Sequence, residues 1–246
     1  MSTGYILNSQ KTFEIFLRTE KVLKNNLFPI VSKFVREEID FWIKTAKRYI
    51  KKDEKIIEMG CGSGRILKEL TKADFSAFGF DNDALFIDYC RKQNLKVFYL
   101  DATKAAPKKH KLKYKMAGIA VNTLFNFPKK IRKKWISSAH NLLKEKGTLI
   151  MTAYSDSRFS RTTIKERVKF YENVLMPPKD SYIEFFDDGK RKGVHLCGHN
   201  KKEIWFSEWI SRGELLKEAN SWKNFKVVSI QEMKCGIGWK LVSIKK

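Results

Sequence analysis

The residues able to do chemistry gather first in one short stretch. Lys55 to Arg65 reads Lys-Ile-Ile-Glu-Met-Gly-Cys-Gly-Ser-Gly-Arg. Apolar, β-branched residues lead into an acid, Glu58, and then Gly60, Gly62 and Gly64 fall at every second position. Glycine alone lets a backbone turn this sharply while a ligand presses against it. Ile66, Leu67 and Leu70 follow at helical spacing. The stretch therefore predicts a strand, a tight turn and a helix start whose free N–H groups point at whatever lies over the turn. A dinucleotide turn would read Gly-x-Gly-x-x-Gly. Here Arg65 stands where its third glycine would fall, and Glu58 would repel a pyrophosphate. A carboxylate at the strand end suits a ligand carrying an ammonium group instead.

Glu58 to Gly64 resembles motif I of the class I S-adenosylmethionine-dependent methyltransferases, an acid, a spacer and Gly-x-Gly-x-Gly. Ligands of open α/β sheets bind at the carboxyl ends of the strands, so the side chains there can be taken in order. Glu58, Gly60, Cys61, Gly62 and Gly64 end the first strand, and the resemblance implies that they hold the methionine half of S-adenosylmethionine. Asp81 ends the second strand with Asn82 beside it, 21 residues after Gly60 (81 − 60). In the family an acid here accepts from both ribose hydroxyls. Asp101 ends the third strand and Ala102 follows. At that place the family's acid accepts from the adenine amino group while the next backbone N–H meets a ring nitrogen. Each acid alone reads equally well as a helix cap or turn residue. Three at successive strand ends, after such a glycine turn, point to the cofactor.

The fourth strand end, Asn122-Thr-Leu-Phe-Asn-Phe-Pro128, departs from one branch of the family. Enzymes that methylate exocyclic base amines resemble one another in an Asn/Asp-Pro-Pro-Tyr/Phe run, which is missing here. The paired cysteines of pyrimidine carbon-5 methylation are missing too. The run around Asn122 looks more like that of small-molecule methyltransferases, where the strand end passes under the cofactor. Methyl transfer from a sulfonium rests mostly on alignment. A proton acceptor, where one is used, has Tyr154, His195 and His199 as candidates, and polar packing explains the two histidines equally well. His195-x-Cys197-x-His199 offers three ligands without a fourth, so no metal is expected.

The elements that must position these residues follow from periodicity. Residues 10–50 predict two helices broken at Asn25–Pro29, the second striped by Val31, Phe34, Val35, Trp42, Ala46 and Tyr49. Strands are expected at Ser76–Phe80, Lys96–Leu100, Met116–Val121 and Thr148–Tyr154, with Asp83 capping one intervening helix and Gly147 ending another. Alternating strands and helices imply a parallel sheet covered on both faces. Phe225–Ile230 and Trp239–Ile244 read as an antiparallel closing hairpin. The expectation is a single α/β domain over residues 1–246, with a Rossmann-like seven-stranded sheet. Its parts are N-terminal helices (1–54), a core (55–155 and 207–246) and a cap insertion between strand five and the last helix (156–206). The insertion begins with a helical segment over 156–180 and adds strands at Tyr182–Phe186 and Val194–Cys197.

The chain carries 50 basic and 27 acidic residues among 246, a net charge of +23. Such an excess favours anionic partners. Yet 39 of the 50 are lysine, whereas phosphate readers favour arginine forks, and a lysine-rich composition explains the excess equally well. Two clusters stand out, Lys104–Lys115 and Lys129–Lys134, the second beside the cleft mouth. No apolar run approaches the ~20 residues that span a bilayer, and Met1–Tyr5 does not open a signal peptide. Four scattered cysteines, one inside the glycine turn, point to reduced thiols and a cytoplasmic setting. The leading expectation is methyl transfer to a nitrogen or oxygen of a small or mid-sized acceptor, for which the charge would favour an anionic one. RNA or protein methylation through the basic surface is the alternative. A cofactor-binding scaffold without catalysis is a third reading, against which the intact cofactor residues speak.

Overall fold

A computed structural model describes residues 9–25, 28–104, 113–121, 123–156, 169, 172, 182–187, 192–197 and 203–246. Asn122, His199, most of the expected 156–180 helix and the middle of the Lys104–Lys115 cluster lie outside the described residues.

The glycine turn joins β1 (Lys55–Met59) to α3 (Arg65–Lys72). The chain then alternates through β2 (Ser76–Asp81), α4 (Ala84–Arg91), β3 (Val97–Tyr99), β4 (Tyr114–Ile119), α5 (Lys129–Leu142) and β5 (Leu143–Tyr154). It closes with α6 (Arg212–Asn220), β9 (Phe225–Glu232) and β10 (Gly238–Lys245). The sheet order is β3-β2-β1-β4-β5-β10-β9. Order reverses between β1 and β4, which puts a crevice at their carboxyl ends. Strand β10 is antiparallel to both β5 and β9, so β9 runs with the first five strands and β10 alone runs against them.

Alternate residues divide the core. Ile56, Met116, Ile150 and Val242 pack with Trp42, Ile66, Leu67 and Leu70 on one face. Ile57, Ala117, Leu149 and Leu241 pack with Trp135, Ala139, Leu215 and Ala219 on the other. Helices α1 (Ser9–Lys24) and α2 (Pro29–Tyr49) precede the sheet. The indole of Trp42 in α2 lies close on β4, because Gly118 presents no side chain. A Cβ there would stand 2.2 Å from the ring.

Two boundaries differ from expectation. Helix α5 ends at Leu142, not Gly147, because Leu143 pairs with Tyr114 of β4 and is drawn into the sheet. Lys146, left-handed at φ 54°, lies within β5 where its register against β4 shifts. The inserted region carries β6 (Tyr182–Asp187), β7 (Lys192–Cys197) and a third strand, β8 (Glu203–Trp209), in one antiparallel sheet. Strand β8 runs three residues past the expected end of the insertion before rejoining the core, where Ile210 bridges to Ser155. Ile210 N donates to the Tyr154 carbonyl at 3.0 Å, and the Ile210 carbonyl accepts from Trp239 Nε1 at 2.8 Å.

Gly118→Ala should lower stability by about 1–3 kcal/mol, the usual effect of overpacking. Trp42→Leu should lower it too, and urea unfolding of the double variant should show less than the sum. Strict additivity would mean that the new methyl meets something other than the indole.

Candidate cofactor and acceptor site

Gly60, Gly62 and Gly64 all have positive φ, at 69°, 49° and 73°, a conformation that any other residue would adopt under strain. The turn is held by Cys61 N donating to Phe80 O at 2.9 Å and Gly64 N donating to Cys61 O at 2.8 Å. Gly64 is the N-cap of α3 and has no side chain to satisfy the helix's free donors. Glu58 takes that role: its Oε2 accepts from Leu67 N at 3.1 Å. The acid is buried and pairs in register with Gly79 of β2 and Gly118 of β4. Burial pushes the Glu58 carboxyl well above its ordinary range, and the guanidinium of Arg65 opposes that shift.

Asp81 braces the same turn. Its Oδ2 accepts from Gly62 N at 2.9 Å and its Oδ1 from Asp83 N at 3.1 Å. Burial raises its pKa against these bonds. Asn82 is exposed, and Asp83 caps α4 by accepting from Leu85 N at 2.9 Å. Asp101 turns inward on its own chain. Its Oδ1 accepts from Thr103 N at 2.8 Å and Thr103 Oγ1 at 2.6 Å. Ala102 is buried and its carbonyl accepts from Ser138 Oγ of α5 at 3.0 Å. Asp101 and Ala102 thus open the short turn after β3.

Two acids from the N-terminal helices, neither expected from the motifs, reach this end of the sheet. Glu38 of α2 is fully buried. It accepts from Arg65 Nη2 at 2.5 Å, from Val121 N at 2.9 Å, and from Thr152 Oγ1. A signal was present: Glu38 falls on the apolar stripe of α2, between Phe34 and Trp42, where an acid without partners is unfavourable. Glu20 of α1 lies over the turn and accepts from Ser63 Oγ at 2.7 Å and Tyr89 OH at 3.4 Å. Phe13 meets Phe86 and Tyr89 edge-on beside it.

Of the three candidate proton acceptors, Tyr154 is at the carboxyl end of β5, its ring 5.0 Å from that of Phe34. His195 stands half-buried in β7, on the second sheet, opposite Glu184 and Phe206. His199 lies outside the described residues. Tyr154 shares a cluster with Phe28, Val31, Phe34, Val194, Trp209, Met233 and Ile237. Arg132 anchors this side. It is 1% exposed and donates from Nε to Phe127 O at 2.7 Å, from Nη1 to Glu218 at 2.8 Å and from Nη2 to Glu208 of β8. Its guanidinium lies 4.6 Å over the Phe125 ring. The four lysines around it, Lys129, Lys130, Lys133 and Lys134, are exposed.

Residues 56–147 match the family model described as "Methyltransferase domain". Solved structures share the fold. The PH0226 protein from Pyrococcus horikoshii OT3 has a TM-score of 0.60 at 16% identity, with 86% of this chain and 91% of that one covered. The CcbJ methyltransferase from Streptomyces caelestis gives 0.59 at 14%, covering 86% and 89%. The glycopeptide N-methyltransferase MtfA, solved with S-adenosylmethionine, gives 0.56 at 10%, covering 82% and 92%. Among curated proteins none matches the sequence. With the glycine turn, the strand-end acids and the sheet order, these findings give residues 56–147 the likeness of a methyltransferase domain and the chain the Rossmann-like fold of the solved methyltransferases. S-adenosylmethionine is the ligand with which the neighbour MtfA was solved. The residues present fit that molecule: a turn of small residues, carboxylates at adjacent strand ends, and one buried donor, Arg65 Nη1, without a partner among the described residues. Among those residues, too, no cluster of side chains is arranged to hold a metal.

Asp81→Ala should weaken binding of S-adenosylhomocysteine in calorimetry by about 1.5–3 kcal/mol for each charge-assisted bond lost. Asp81→Asn, which keeps an acceptor for Gly62 N, should lose less. Undiminished binding by the alanine variant would take Asp81 out of the site. Glu58 gives a pH dependence. The folded chain holds its proton more tightly than the unfolded one, so the stability it contributes is complete below pH 4.5 and fades as pH rises through the raised value. Glu58→Gln keeps an acceptor and removes the titration. Its melting temperature should therefore gain on that of the native protein from pH 4.5 toward alkaline pH. Parallel curves would count against a buried, proton-retaining carboxyl.

Proposed function

We propose that the enzyme methylates a nitrogen or oxygen of a small or mid-sized acceptor. The observation that carries this reading is the apolar, aromatic roof at the carboxyl end of β5. There Phe34, Tyr154, Val194 and Trp209 are buried together, with Phe185 5.7 Å from Trp209. Such a packed apolar cover over the strand end suits an acceptor enclosed on several sides better than a strand laid along an open groove. In this reading the described part of the insertion, β6–β8, belongs to the acceptor's cap. The structural neighbour MtfA is a glycopeptide N-methyltransferase, and a glycopeptide is an acceptor of this size.

S-adenosylmethionine supplies an electrophilic methyl group when bound. What the chain contributes is placement. Glu58, Gly60, Cys61, Gly62 and Gly64 hold the methionyl half, Asp81 and Asn82 the ribose, and Asp101 and Ala102 the adenine; Asn122, the other residue expected to take part, lies outside the described residues. The acceptor must present a lone pair in line with the methyl group. Tyr154 is the candidate nearest the sheet to receive its proton. Free thiols at Cys61, Cys90 and Cys235 support a reducing, cytoplasmic setting.

The RNA alternative rests on the lysines of α5. Positive charge at a helix start opposes the helix dipole, and a bound phosphate would relieve it. Glu208 and Glu218 already supply negative charge beside the first turns of α5, through Arg132. That weakens the need for an external anion.

The enzyme should be incubated with labelled S-adenosylmethionine and fractionated cell extract. Label should enter the small-molecule fraction, and changing Lys129, Lys130, Lys133 and Lys134 together to glutamate should leave most of that transfer intact. Label in RNA, lost in the variant and falling with salt at a log–log slope of about 0.7–0.9 per phosphate contacted, would replace this reading with the nucleic-acid one.

A further inference from the structure

We infer that Arg65 takes the carboxylate of the cofactor's methionyl end, and that Glu38 is the positioning residue that holds the guanidinium there. The inference rests on the methionyl half lying against the glycine turn. Arg65 is the first residue of α3 and follows Gly64 directly, so its backbone is fixed by the turn. Nη2 donates to Glu38 at 2.5 Å, whereas Nη1 is buried and has no acceptor among the described residues. A charged donor left unpaired out of water is unfavourable, and an arriving carboxylate removes that penalty. The side chain keeps 23% of its surface exposed, so it stands at the wall of the crevice rather than beneath it.

Glu38 engages the guanidinium through Nη2, and Nη1 makes no hydrogen bond to it. Its Oε1 accepts from Val121 N and Thr152 Oγ1, and its Oε2 from Arg65. These bonds tie α2 to the end of β4 and to β5, and they leave one edge of the guanidinium unengaged. The planar fork of arginine matches a carboxylate in a way that a lysine ammonium does not. The methionyl end carries opposite charges, an ammonium and a carboxylate. The turn region has both counterparts, Glu58 for the first and Arg65 for the second. One consequence is selectivity for the intact amino-acid tail, governed by a residue of the N-terminal helix.

The test compares S-adenosylhomocysteine with its decarboxylated analogue by calorimetry. The native enzyme should prefer S-adenosylhomocysteine by about 10- to 100-fold, the span of a charge-assisted bond. Arg65→Met should bring that preference close to one while binding the analogue as the native enzyme does, which also shows that the variant is folded. Glu38→Gln should lose part of the preference, and Arg65→Lys should keep part. A native enzyme that binds both ligands equally overturns the inference without any variant. So does a preference unchanged in Arg65→Met, or variants with native circular dichroism that lose both ligands in equal proportion. Failure of the native enzyme to bind either ligand removes the inference together with the placement of the cofactor.

Discussion

A carboxylate buried where four elements meet must find a donor for each oxygen or give up its charge. Glu38 finds three donors, on α3, after β4 and in β5. The same helix lays Trp42 against Gly118, one turn further on. A polar lock and an apolar contact therefore fix α2 at the switch point of the sheet. The position of Arg65, and with it the first turn of α3, depends on that helix. The N-terminal segment thereby helps to fix the start of α3 and the strand ends beside it.

A second charged knot sits across the crevice. Arg132 joins the loop after β4, through Phe127 and Phe125, to Glu208 of the inserted sheet and Glu218 of α6. Each of its three guanidinium nitrogens donates, and satisfied networks of this kind specify a geometry rather than merely add stability. Burial raises the Glu218 carboxyl while Arg132 pulls it back. The two knots hold opposite walls at fixed distances from the same strand ends.

The core fold was legible because its signals are local. Glycines at every second position, acids at three strand ends and a capping Asp83 each act within a few residues, and the structure puts them where their spacing implied. What failed to show was long-range. Nothing near Leu143 reveals that Tyr114 will pair with it and shorten α5. Strand β8 was hidden because Trp205, Phe206 and Trp209 read equally as core. The site was legible in its residues but not in their duties. Glu58 and Asp81 brace the turn and the helix start, and Asp101 spends one oxygen on Thr103. Arg132 read as one more basic residue beside lysines, since its two acids lie 76 and 86 positions away. Glu38 alone carried a readable warning, an acid on an apolar face.

The strand order has a consequence for how the chain assembles. Strand β10 follows every other strand in sequence, yet it lies inside the sheet, between β5 and β9. Until it arrives, β5 shows an open edge and β9 has no partner in that sheet. During synthesis the first five strands and the glycine turn can form before the inserted sheet and α6 emerge. The last strand must then add to the β5 edge and bring β9 with it. Closing so large a loop is entropically unfavourable, and unpaired edges invite wrong pairings. Late insertion of β10 is thus the step at which a nascent copy of this enzyme is most exposed to pairing with a neighbouring chain.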